Sequence, residues 1–437
     1  VYPSVTFTLP RGANLELQGE PGTKMEELVV HGDSEDDAET DDAETSRTEL
    51  TLKSLQVMRA NFTLPLYSLA LIDVAVEALH DPGGDQTEEE ANSTTLDSRF
   101  ATYLLWRGQG CIPSLTIQRS FLMPIRMSLC GENATVLNST IMPTGMFGFH
   151  AANLSISRSH LGATNLFYLG IESELAVATS TLANVTLRVE GNASIVESNV
   201  TGNYFVGLHG NHNHFENSHF GACYGRCMWI LGSGQFALVG SSMQTALVVV
   251  GNKFSTHLEI RDVEIFDVYT PFLESLGMDA GLATLDVNFT MVKFRNVWSA
   301  VKIDASRWKL TMQGITMEDV TNSGLTLQSR NASDRGIAQL HDVSMHNIMG
   351  VGLVMDSTIA NITDVTCREC NMAVAAYASS LNVRGVDILG QHKQCNGMAL
   401  KSSRLEANDV RMTNLAAGLL LKSSTVHLED VFITDNA

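Results

Sequence analysis

A run of the roughly 18 consecutive apolar residues that a membrane-spanning helix requires is missing from this 437-residue chain, although 44% of its residues are hydrophobic, so no transmembrane segment is predicted. Charge is scarce at 17% of residues, and basic charge is the scarcer kind: 28 Lys and Arg face 48 Asp and Glu, for a net charge of -20. A surface of that sign argues against nucleic acid as a partner. Helices are excluded as well. Apolar runs of roughly 3 to 5 residues, separated by turns, recur throughout and leave too little room for a helix of ordinary length. The first residue is Val1 rather than Met, which predicts a removed signal peptide or a piece of a longer chain.

What the chain does have is a repeat. A Ser- or Asn-led phrase, two short alternating apolar runs and a Gly-led apolar run return about every 19 to 26 residues. The clearest copies begin at Ser379-Ser380, Ser402-Ser403 and Ser423-Ser424. Within them apolar side chains fall two apart, as in Val426/Leu428 and Val431/Ile433, which places them on one face of a strand. Gly324-Leu325-Thr326-Leu327, Gly352-Leu353-Val354-Met355, Gly397-Met398-Ala399-Leu400 and Gly418-Leu419-Leu420-Leu421 are the third runs. Earlier rungs start near Ser114, Asn133, Ala152, Ser173, Asn192, Asn211, Ser233, Ser255, Leu282, Ser306, Asn331 and Ser357.

Three short strands per rung predict an all-β, single-stranded parallel β-helix solenoid of roughly 17 rungs. Residues 1–47 read as an irregular first rung followed by an acidic loop, and 48–437 as one continuous elongated domain with an acidic insertion near 80–100. The pattern resembles the right-handed parallel β-helix proteins of the pectate-lyase-like superfamily, in the generic form of their tandem repeats. Right-handedness is implied by that resemblance and by the general preference for right-handed crossovers.

The second signal is glycosylation. Asn-X-Ser/Thr occurs at Asn61, Asn92, Asn133, Asn138, Asn153, Asn184, Asn192, Asn199, Asn288, Asn331 and Asn361, 11 of 27 asparagines, where chance would give about four. Turns rich in Asn, Ser and Thr account for part of the excess. The remainder predicts N-linked glycans on an extracellular or cell-surface protein. Asn133, Asn153, Asn192 and Asn331 sit at rung starts, whereas Asn61, Asn138, Asn184, Asn199 and Asn361 fall in or beside strand runs.

Seven cysteines fit an oxidising compartment, and the odd count leaves one unpaired or paired outside the segment. Cys111 and Cys130 are one rung apart and are predicted to stack. Cys395 stands in a similar relation to Cys367 or Cys370, and Cys223 and Cys227 can close a small loop. A zinc site at Cys367 and Cys370 would need two further ligands, with only His392 and Cys395 near, so disulfides are favoured.

The negative charge concentrates in Asp33–Glu44 and in a stretch from Asp81 through Glu90, both predicted to protrude as solvated loops. Calcium is a weaker expectation, because neither stretch has the spacing and glycine of an EF-hand. The best chemical cluster runs from His209 to His219. In a strand, His212, His214 and Glu216 would share a face suited to a metal or a general base. Aligning the rungs, however, sets His212 and His214 beside Ala193 and Ile195 on one side and Phe236 and Leu238 on the other. That alignment predicts inward, neutral histidines rather than ligands.

The resemblance implies lyases and hydrolases that work with clustered carboxylates in a groove, yet the rungs offer no convincing set of paired carboxylates and the family's Asn-Thr-Asp phrase is absent. The sequence therefore predicts a secreted structural glycoprotein, the subunit of an extracellular filament, surface appendage or wall layer that self-associates, with no cofactor. A polysaccharide lyase or glycoside hydrolase is the alternative, and an adhesin or receptor ectodomain the second.

Overall fold

The fold was analysed in a computed structural model. It describes residues 2–9, 13–20, 23–32, 49–62, 68–72, 74–77, 103–106, 111–123, 126–143, 147–202, 204–223, 226–232, 234–250, 255–276, 284–330, 335–390 and 395–434. The two acidic stretches, Asn92 and Asn331 lie outside the described residues, as does the side chain of Asn61.

Among the described residues there is no helix, and the recorded strand pairings are parallel, turn upon turn, as a β-solenoid. The contacts divide the chain into two compact units, Val1–Val189 and Glu190–Ala437. In the first unit, Leu15, Leu50, Leu69, Leu115, Ala134, Leu154 and Leu175 are in register down successive turns of the first sheet. Two residues along, Leu17, Leu52, Leu71, Ile117, Val136, Ile156 and Val177 make a parallel stack. Alternation directs these residues inward, and burying each Leu or Ile contributes about 1.5–3 kcal/mol.

The second unit repeats the arrangement. Its first-sheet column runs from Ala193 through Asn213, Phe236, Leu258, Val287 and Leu310 to Leu405 and Val426. At Trp308–Ser329, Gly336–Asp356 and Thr358–Tyr377 extended backbone continues through nearly a whole turn.

The corners explain how so short a repeat closes. Among the described residues most first corners have one residue with positive φ: Ser54, Arg119, Asn138, Arg158 and Thr179 in the first unit, and Glu197, Asn217, Gly240, Asp262 and their successors in the second. Left-handed backbone costs least for Gly, Asn and Asp, which supply most of the later corners. A buried serine follows several of them. Ser120, Ser139, Ser159 and Ser180 are 3–5% exposed, and the N–H of each of the first three donates to the Oγ of the next at 3.1 Å.

The Gly-led runs have a steric cause. A Cβ on Gly352 would lie 2.7 Å from the Ala373 carbonyl oxygen, and one on Gly397 would lie 2.3 Å from that of Gly418. The next turn's backbone occupies the space where a side chain would stand.

Candidate functional site

The histidine cluster does not face inward. In the strand His212–Glu216, His212 and His214 are exposed while Asn213 and Phe215 are buried. Asn213 pairs with Ala193 and Phe236, and Phe215 with Ile195 and Leu238. The alignment that put the histidines in those places was one residue out of step, and a slip of one residue exchanges the two faces of a strand. Phe215 is the true core residue, packed at 5.2 Å from Phe220 and 5.3 Å from Phe236 between ring centroids. On the outer face, His214 Nε2 lies 3.2 Å from Glu216 Oε2. Among the described residues no group of three or more His, Cys, Asp or Glu is placed to hold a metal.

The sequons stand at known positions on the solenoid. Asn133, Asn138, Asn153, Asn192, Asn199 and Asn361 are exposed, and Asn184 and Asn288 are half-buried. Asn133, Asn153, Asn192, Asn288 and Asn361 occupy outward places on first sheets, and Asn138 lies at a first corner with φ 48°. The Asn153 Nδ2 donates to the Asn133 Oδ1 at 2.9 Å across one turn. Asn184, with φ 53°, donates to the Ala163 carbonyl at 2.8 Å.

Three disulfides form: Cys111–Cys130, Cys223–Cys227 and Cys367–Cys370. The first two match the spacing argument. The third replaces both pairings proposed for Cys395, which is a buried free thiol. Cys367 and Cys370 flank a corner whose positive-φ residue, Glu369, turns the chain and brings the two Cα atoms to 6.3 Å. Three disulfides suggest an oxidising, extracellular environment, and no helix among the described residues is long and apolar enough to cross a membrane.

The most concentrated chemistry lies on the outer face of the third sheet in the second unit, where the sequence reading found nothing. Glu274 is only 3% exposed, yet its carboxylate contacts the Arg226 guanidinium and accepts from Lys302 Nζ at 2.9 Å. Arg226 lies within the Cys223–Cys227 loop, and its carbonyl accepts from the Trp229 indole at 2.7 Å. Lys302 stands one turn from Glu274 in register. Farther along the same strand, Asp304 is held by Arg330 through two bonds of 2.6 and 2.7 Å. Burial pushes the Asp304 carboxyl up and the Lys302 ammonium pulls it down. Burial is the larger of the two effects, so the Asp304 carboxyl stands above its ordinary value. No sequence signal marks Glu274, because its partners are 48 and 28 residues away and meet it only through the stacking of turns.

No family model, curated protein or solved structure matches the chain. Its chemistry is therefore read from its own residues.

Proposed function

We propose that the chain is a secreted, N-glycosylated structural glycoprotein, a subunit of an extracellular filament, surface appendage or wall layer that assembles through the ends or sides of its solenoid. The observation that carries this reading is the outward placement of the sequons. Of the eight asparagines whose side chains are described, six are exposed, two are half-buried and none points into the core. Disulfides suit the same compartment. Side contacts have a ready apolar surface, since Tyr269, Trp298 and Met349 are 80%, 45% and 58% exposed just beyond the second corner of their turns. Electron microscopy of the protein isolated from its native source tests the assembly. Regular filaments or layers support it, and dispersed single particles at every concentration count against it.

A second reading follows from the third sheet of the second unit, whose described residues include no sequon. That face, with Glu274, Lys302, Asp304 and Arg330 upon it, suits a polysaccharide lyase or glycoside hydrolase, or an adhesin. Cleavage of an acidic polysaccharide that is lost in Glu274→Gln would favour the enzyme over the structural subunit.

A further inference from the structure

In the second unit, Val268, Val297, Val320, Ile348 and Cys370 are in register down successive turns just after the second corner, each no more than 3% exposed. Cys395 enters the following turn. Its successor Asn396 is in register with Met372, two residues beyond Cys370, and its carbonyl accepts from the Ala416 N–H at 2.7 Å. Cys395 is 8% exposed, so a free thiol and a disulfide sulfur both lie in the interior on adjacent turns, whose strands stand about 4.8 Å apart.

A disulfide across one turn already forms elsewhere in the molecule, there between equivalent positions of adjacent turns. Cys111 and Cys130 precede the registered pair Ile112 and Gly131, and they are joined across one turn with Cα atoms 4.7 Å apart. That separation is within the range of about 4.4–6.8 Å that a disulfide spans.

We propose that Cys367, Cys370 and Cys395 form a thiol–disulfide exchange site whose second state is the cross-turn bridge Cys370–Cys395. The Cys395 thiolate attacks the Cys370 Sγ, the new S–S bond forms, and the Cys367–Cys370 bond breaks. Cys367 leaves as a thiolate and takes up the proton that Cys395 gave up. Nothing is oxidised or reduced overall, and no external oxidant is needed. With the three residues 1%, 3% and 8% exposed, outside thiols are kept away and the exchange is intramolecular.

The two states differ in what they constrain. Cys367–Cys370 has a sequence separation of 3, whereas Cys370 and Cys395 are 25 positions apart (395 - 370). Closing the longer loop restricts the unfolded chain more, so the cross-turn state shifts the unfolding equilibrium toward the folded protein by roughly tenfold. The exchange thus converts a local corner staple into one that ties two turns together.

Peptide mapping under non-reducing conditions, after alkylation at low pH, tests this on the oxidised full-length chain incubated at mildly alkaline pH without added thiol. Both the Cys367–Cys370 and the Cys370–Cys395 peptides are expected, with the free thiol divided between Cys395 and Cys367. In Cys367→Ser the bridge Cys370–Cys395 should form, leaving no free thiol at either position, and that variant should resist unfolding by urea roughly tenfold better than Cys395→Ser. The proposal is overturned if the equilibrated wild-type protein contains only Cys367–Cys370, a result that does not depend on how the variants fold.

Discussion

The backbone N–H of Ser218 donates to the Oγ of Ser241, one turn along the solenoid, at 3.0 Å. Ser218 in turn supplies the Oγ that accepts from the Ser198 N–H at 3.1 Å, and it donates its own hydroxyl proton to the Glu216 carbonyl at 2.8 Å. A buried hydroxyl is thereby satisfied, and so is the backbone donor of the turn before. The same relationship recurs from Thr358 to Ser379, Ser403 and Ser424.

Ser218→Ala should therefore cost about 1–3 kcal/mol, because the Ser198 N–H loses its acceptor inside the protein. Hydrogen exchange at Ser198 should accelerate in the variant. Unchanged protection there would show that the ladder contributes little. Ser218→Thr, which keeps the hydroxyl, should retain most of the stability.

Register in the histidine strand gives a paired prediction. Phe215→Ala should destabilise by about 3–5 kcal/mol, whereas His214→Ala should stay within about 0.5 kcal/mol in urea denaturation. The reverse order would return the histidines to the core.

Gly397→Ala should cost about 1–3 kcal/mol, since its new Cβ would meet the Gly418 carbonyl and backbone does not yield as a side chain does. Gly148→Ala is the control, with no atom within 4 Å of the added carbon, and thermal denaturation of the two variants separates them.

Around Glu274 the expected signature is coupling. Arg226→Met with Lys302→Met together leave a buried carboxylate unpaired, and the double variant should lose about 3 kcal/mol. Either single change should cost less, because the remaining cation still pairs with the carboxylate. A double-mutant cycle with a coupling below about 0.5 kcal/mol would show that the two cations act separately.

Much of the solenoid was legible because its signal is local and repeats. The alternation at Val426/Leu428 and Val431/Ile433 matches the register, in which Leu405, Ala407, Val410 and Met412 lie directly beside those four residues. The Cys111–Cys130 bond was legible for a similar reason, since one period of the repeat separates the two. Reading failed where turn lengths vary. His212 and His214 were put on the wrong face because the turns entering that strand and its neighbours differ in length, and alternation alone does not fix which residue leads. The large apolar Phe215 between His214 and Glu216 was the available signal. Cys395 was harder to place, because Asn396 is in register with Met372, so Cys395 does not stand at the register position of Cys370. Glu274 was not legible at all, because a single acidic residue in an apolar run gives no hint of partners that only the stacking of turns brings near.

Site-resolved glycopeptide mass spectrometry on the protein from its native source tests the central claim most directly. The account predicts glycans at the exposed Asn138, Asn192, Asn199 and Asn361, with Asn184 bare because it is half-buried and bonded to the Ala163 carbonyl. Unmodified asparagine at all four of these sites would contradict the reading of this chain as a secreted glycoprotein.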